Sequence, residues 1–225
     1  MPSDRRDVPI FNTSPMVGRL ILACVIIHVI TVLLPLPVWY DLIYRFAFVS
    51  ARYTLSGAVQ FDPIACIFAP VTHLFLHGGF LHLLLNMAML LAFGTPIERR
   101  MSASAFAIFY ILCGLAGAAL WLTFHPHTVN PLLGASGAIS GMFGAVGRTS
   151  LTGNSEHGMP FQNRKAALVF VLLWLAFNFI FGVIGLAVFG EEGDVAWEAH
   201  LGGFIAGFFL IGLFTNDAAK QQKTD

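Results

Sequence analysis

Apolar residues gather into six runs along the chain, and the short stretches between them hold nearly all the charge. The runs are roughly Met16–Leu36, Phe80–Ile97, Ala103–Phe124, Ser136–Val146, Ala166–Phe189 and Ala196–Phe214. A helix needs about 20 apolar residues to cross the ~30 Å hydrocarbon core of a bilayer. The pattern therefore predicts an all-α polytopic membrane protein with six transmembrane helices and both termini on one side. Pro35 and Pro37 end the first run, and Val38–Gly79 joins it to the second. That connection carries Trp39, Tyr40, Tyr44 and Tyr53 among apolar residues, and reads as a loop lying in the membrane interface. No repeat, linker or soluble domain is visible, so the organisation is a tail at 1–15, a membrane domain at 16–214 and a second tail at 215–225.

Composition strengthens this reading. Hydrophobic residues make up 57% of the chain and charged residues 11%, where an ordinary soluble domain carries about 25% charged residues. Mean hydropathy is +0.77. The formal net charge is zero, so nothing points to a nucleic-acid partner; the lipid bilayer is the partner that composition implies. Cys24, Cys66 and Cys113 are scattered without a CxxC spacing, which implies neither a disulfide framework nor a metal knuckle.

Charge also sets the orientation. With a cytoplasmic N-terminus, the inner side holds ten basic residues: Arg5, Arg6, Arg19, Arg99, Arg100, Arg148, Arg164, Lys165, Lys220 and Lys223. The outer side holds only Arg45 and Arg52, with the acids Asp41, Asp62, Glu191, Glu192, Asp194 and Glu198. This is a positive-inside bias, and it predicts cytoplasmic termini. The first run is flanked by proline and not by a small-residue cleavage site, which reads as a retained helix.

Candidate chemistry centres on Gly134-Ala135-Ser136-Gly137. A serine between glycines at a helix start has an accessible hydroxyl and free backbone N–H groups, which suits a nucleophile beside an oxyanion site. The same tetrapeptide also suits simple helix packing. From Ser136 to Arg148 is about 20 Å of helix. With Arg148 at the inner surface, Ser136 lies roughly 10 Å below the outer one. His200, one turn into the last run, falls at similar depth.

Gly137-x3-Gly141 and Gly203-x3-Gly207 are small-residue faces that let helices approach closely. If these two faces meet, His200 stands opposite Ser136 and can take its proton. No carboxylate completes a triad: Glu198 points to another part of its helix, and Glu98 lies at the opposite membrane face. A second group, His77-x4-His82-x3-Asn86, puts His82 and Asn86 on one helix face near the same depth, where they can join the Ser136 N–H around an oxyanion. His73, His77 and His82 include an HxxxH pair, but no third ligand of obvious spacing and no acidic base accompany it. His28 reads as a satisfied interhelical hydrogen bond, and His125 and His127 as polar loop residues without a specific role.

Together, His77-x4-His82-x3-Asn86, Gly134-Ala135-Ser136-Gly137 and Ala199-His200-x2-Gly203-x3-Gly207 resemble the rhomboid family of intramembrane serine proteases, of the bacterial six-helix type. The resemblance implies a serine endopeptidase of the inner membrane, with transmembrane proteins as substrates. It implies Ser136 as nucleophile, His200 as general base, and His82, Asn86 and the Ser136 N–H as oxyanion hole, with no cofactor and no metal. It further implies a water-filled cavity open to the outer side beneath a mobile loop at about Gly190–Trp197. Two positions depart from the family's pattern. Phe68-Ala69 stands where some members have Trp-Arg, and Ser140 where some have an aromatic ring stacked on the catalytic histidine; Phe143 or Ser140 is then the candidate to hold His200. Two rival readings are a non-catalytic relative that binds membrane helices, and a small transporter. Relatives of the first kind typically lack the nucleophile or the base, and this chain has both; against the second, this chain shows no mid-span acid and no inverted repeat.

Overall fold

The structure, a computed structural model, describes residues 14–55, 62–152, 160–161, 163–189 and 196–215, without the side chains of 181 and 183–189. Most of both tails, the charges Arg5, Arg6, Glu191, Glu192, Asp194, Lys220 and Lys223, and 190–195 of the expected mobile loop lie outside the described residues.

The regular elements of the described residues are all helices, with one isolated β-bridge between Phe48 and Leu132. Four of its helices are long and apolar enough to cross a membrane. These are α1 (Pro15–Val32), the continuous helix from α5 (Phe80–Met89) through α6 (Thr95–Glu98), α7 (Ala103–Phe124) and α10 (Trp197–Phe214). The other two expected spans correspond to α8 (Ser136–Leu151), of 16 residues, and α9 (Arg164–Phe189), of 26.

The interfacial connection is itself helical, which the aromatic pattern alone does not reveal. It contains α2 (Leu36–Phe46), α3 (Ala51–Thr54) and α4 (Pro63–Thr72), then a 3₁₀ turn at His73–Phe75. Local chemistry accounts for two of these starts. Pro37 sits in the first turn of α2, where its missing N–H costs nothing. Asp62 caps α4, accepting from Ile64 N at 3.0 Å and Ala65 N at 3.1 Å, with Pro63 in the first turn. Arg45 holds the same carboxylate at 2.9 Å and so joins α2 to α4. These contacts, the N–H of Ala65 foremost, keep the Asp62 carboxyl below its ordinary value.

At the expected inner side, a carboxylate from one helix caps another. Buried Glu98 accepts from Met16 N and Val17 N, each at 2.8 Å. This satisfies orphan donors of α1 and places negative charge at the positive end of its dipole.

The core is a tight stack of α7, α8 and α10 in which glycine sets the spacing. A methyl group on Gly203 would stand 1.9 Å from the Gly137 carbonyl oxygen, and one on Gly207 1.9 Å from that of Gly141. One on Gly144 would stand 2.1 Å from the Phe204 carbonyl oxygen. On the other flank, Cys113 of α7 fills the space over Gly141, and Gly117 lies against the Ala199 carbonyl. Thus α8 is buried along most of its length although it carries few large side chains. It also runs to Leu151, beyond the expected Val146. Arg148 is no bare surface marker, for its guanidinium donates to the carbonyls of Phe208 at 3.0 Å and Phe209 at 2.6 Å on α10.

Candidate active site

The segment entering α8 is pinned from two sides. Phe48 and Leu132 exchange backbone hydrogen bonds of 3.0 and 2.8 Å, and Gly134 N donates to the His73 carbonyl at 2.9 Å. Ala51 N adds a bond to the Thr128 carbonyl at 3.0 Å. The interfacial connection therefore braces the loop that delivers Ser136, without the Trp-Arg pair absent at Phe68-Ala69. Within that connection Arg52 donates to the carbonyls of Ala47 and Tyr44 and so steadies the segment that carries Phe48 and Ala51.

Gly134 adopts φ +123°, a backbone conformation that side chains disfavour. The chain turns there, and Ser136 becomes the first residue of α8, half-buried, beside first-turn N–H groups that have no carbonyl one turn earlier. His82 of α5 comes against this turn. A methyl group on Gly134 would stand 2.8 Å from His82 Nε2 and 3.7 Å from Ser136 Oγ, so both side chains line one small space. His77 packs edge-on against His82, with ring centres 5.2 Å apart. Asn86, buried one turn along α5, donates one amide N–H to the His82 carbonyl at 2.9 Å and keeps a second donor.

From the other side, α10 brings His200. The carbonyl of Ala199 lies 3.5 Å from where a Gly137 methyl would stand, and Gly203 meets the Gly137 carbonyl. The two glycine faces thus meet as the sequence suggests, with His200 on the turn of α10 that lies at the start of α8. Among the described residues Ser136 Oγ makes no hydrogen bond, to His200 or to any other group.

What holds the His200 ring differs from expectation. Neither Ser140 nor Phe143 does so. Phe143 instead stacks with Phe170 and Trp174, at centroid distances of 5.7 Å each. The ring partner is Asn178 of α9, whose Oδ1 lies 2.7 Å from His200 Nδ1. Asn178 is the one asparagine in the apolar run 164–189. A lone amide inside a span is costly unless partnered, and that was the signal that could have found it.

Two further histidines also differ from the sequence reading. His125 has a definite contact, its Nε2 lying 2.9 Å from buried Glu198, with its ring 4.0 Å from that of Trp121. Glu198 thus points away from His200, as its place on the helix requires. Neither ring nitrogen of His28 finds a hydrogen-bond partner among the described residues; its ring packs edge-on against Phe80 at 5.1 Å. The apolar flank of α5 faces it where the sequence suggested an interhelical bond.

Comparisons with known proteins agree with this geometry. The Rhomboid domain family model matches residues 67–216, which include the α5, α8 and α10 elements just described. RHOMBOID-like protein 5 of Arabidopsis thaliana is 31% identical over 140 residues, covering 62% of this chain and 41% of its own. Rhomboid protein 1, mitochondrial, of Saccharomyces cerevisiae is 29% identical over 177 residues, covering 73% of this chain and 46% of its own. The putative rhomboid protease YdcA of Bacillus subtilis is 28% identical over 144 residues, covering 62% of this chain and 63% of its own. The chain therefore spans from about two-fifths to just under two-thirds of the length of these relatives. With apolar membrane-length helices, a glycine-spaced helix core and a family match over two-thirds of its residues, this chain is a multi-pass membrane protein that belongs to the rhomboid family.

Proposed function

We propose that this chain is an intramembrane serine endopeptidase that cleaves peptide bonds within or next to transmembrane segments of other membrane proteins. One observation carries the reading. The first residue of α8 is a serine whose Oγ lines the Gly134 turn together with His82 Nε2, and the Ala199–Gly203 turn of α10, which carries His200, packs on Gly137 beside it.

The chemistry follows from these positions. Ser136 Oγ attacks the scissile carbonyl carbon while His200 takes its proton. The developing oxyanion lies near the Ser136 N–H, with His82 and the second N–H of Asn86 as further donors. Each such donor is worth about 2.7–4 kcal/mol where one has been removed from a serine protease. His200 then returns the proton to the leaving amine, and water attacks the acyl-enzyme by the same exchange. This reaction requires no cofactor. A helical substrate shields its own carbonyls, so substrates with glycine or proline near the cleaved bond unwind at lower cost.

The positive-inside bias favours six crossings, cytoplasmic termini, and a site opening to the outer side of a bacterial-type inner membrane. The test uses full-length protein in liposomes with a labelled transmembrane substrate. Ser136→Ala and His200→Ala are expected to abolish cleavage, and a fluorophosphonate probe is expected to label only chains that keep Ser136. Equal cleavage by wild type and Ser136→Ala would overturn the proposal. No cleavage by wild type, with Ser136 unlabelled, would favour a non-catalytic member of the family.

A further inference from the structure

Asn178 lies in the middle of α9, buried among apolar residues, and the proposed reaction above assigns it nothing. Both ends of its amide are engaged. Its Nδ2 donates to the Trp197 carbonyl at 3.1 Å, and its Oδ1 lies 2.7 Å from His200 Nδ1. A backbone carbonyl only accepts, so the group facing Trp197 must be the NH₂. Turning the amide over would set two oxygens against each other and leave Nδ2 facing the ring. The oxygen is thereby committed to His200, and an oxygen facing Nδ1 requires a proton on that nitrogen.

We infer that Asn178 is a positioning residue that holds His200 in its Nδ1–H tautomer and leaves Nε2 unprotonated toward Ser136. The chain of constraint runs from the backbone of α10 through Asn178 to the ring. Trp197 lies one turn before His200 on α10, so α9 ties the imidazole to its own helix. The role is the one an acidic residue fills in a serine triad: it selects a tautomer and steadies the imidazolium. An amide does this inside a membrane without the desolvation cost of a buried carboxylate. Of Asn178, Ser140 and Phe143, Asn178 alone bonds the ring.

The inference rests on the protease reading only for its catalytic consequence; the tautomer is observable without turnover. Full-length protein carrying ¹⁵N-labelled histidine rings is compared by NMR with His200→Ala, which identifies the His200 signals. Wild type is expected to show Nδ1 protonated and Nε2 bare, and Asn178→Leu, of similar volume, to lose that preference. Asn178→Asp keeps an acceptor and is expected to keep the tautomer. In the cleavage assay Asn178→Leu is expected to lower kcat by about tenfold to a hundredfold with KM little changed, and Asn178→Asp to recover most of that loss. An Nε2–H tautomer in wild type overturns the inference, and so does a His200 spectrum unchanged by Asn178→Leu. The wild-type spectrum decides even where a variant fails to fold. Absence of cleavage by wild type with the Nδ1–H tautomer in place overturns the protease reading and leaves the Asn178 assignment standing.

Discussion

Gly134 carries two constraints at a single Cα. Its φ of +123° disfavours any side chain, and a methyl group there would stand 2.8 Å from His82 Nε2. Gly134→Ala is therefore expected to cost about 1–3 kcal/mol in backbone strain. It would also move His82 and Ser136 apart, and a shift of about 1 Å is worth roughly a hundredfold in rate. Fluorophosphonate labelling beside a thermal melt checks this, and labelling at the wild-type rate would contradict it. Asp62 gives a prediction in pH. Its carboxyl is held low by the Ala65 N–H and Arg45, so the charged form belongs to the folded state. That stabilisation is present above the ordinary carboxyl value near 3.8 and is lost as pH falls through the lower folded value. Melting in detergent should accordingly weaken on acidification in wild type and change less in Asp62→Asn, which keeps the cap but not the charge. Of the residues in the candidate site, Ser136, His82, Asn86 and His200 were legible because each falls in a motif of fixed spacing. Asn178 falls in no such motif; only its being a lone amide in an apolar run marks it, and nothing local names His200, 22 residues on, as its partner.

Among the elements, α8 shows how small residues substitute for hydrophobic bulk. Lipid tails are as apolar as leucine, so helices in a bilayer gain little from hiding apolar surface, and close backbone approach takes over. Gly207→Ala, whose methyl would stand 1.9 Å from the Gly141 carbonyl oxygen, is expected to separate α8 from α10 at a cost of about 1–3 kcal/mol or more. Gly18→Ala makes the control, since nothing lies within 4 Å of its new methyl. That exchange is expected to stabilise α1 by up to about 1 kcal/mol through helix propensity. Unfolding midpoints of the two variants in one detergent should move in opposite directions. At this scale the long helices are legible in hydropathy to within a few residues, whereas α2, α3 and α4 occupy the stretch whose aromatic pattern reads only as an interfacial loop. The Asp62-Pro63 start was present as a signal, a capping residue followed by proline, and was outweighed by the aromatic interfacial pattern.

For the whole molecule, the charge distribution predicts how the chain sits in its membrane. In a background without Cys24, Cys66 and Cys113, Asn130→Cys between α7 and α8 should react from outside with a membrane-impermeant maleimide. Thr215→Cys after α10 should react only once the membrane is opened. The reverse labelling would contradict the orientation. Hydropathy and charge bias are one-dimensional properties of the chain, so the sequence by itself determined that it is helical, membrane-embedded and organised around three motifs. The glycine faces of α8 and α10 were also legible, because a stripe of small residues announces close approach. Which surfaces close on which was decided only in three dimensions. Phe48 pairs with Leu132, Glu98 caps α1, Glu198 takes His125, and Asn178 rather than Phe143 or Ser140 receives the His200 ring. Each of these joins polar groups that are costly to bury unpaired in a low-dielectric interior. Their partners come from distant segments, and no local pattern records which of several possible partners the packing will bring within reach.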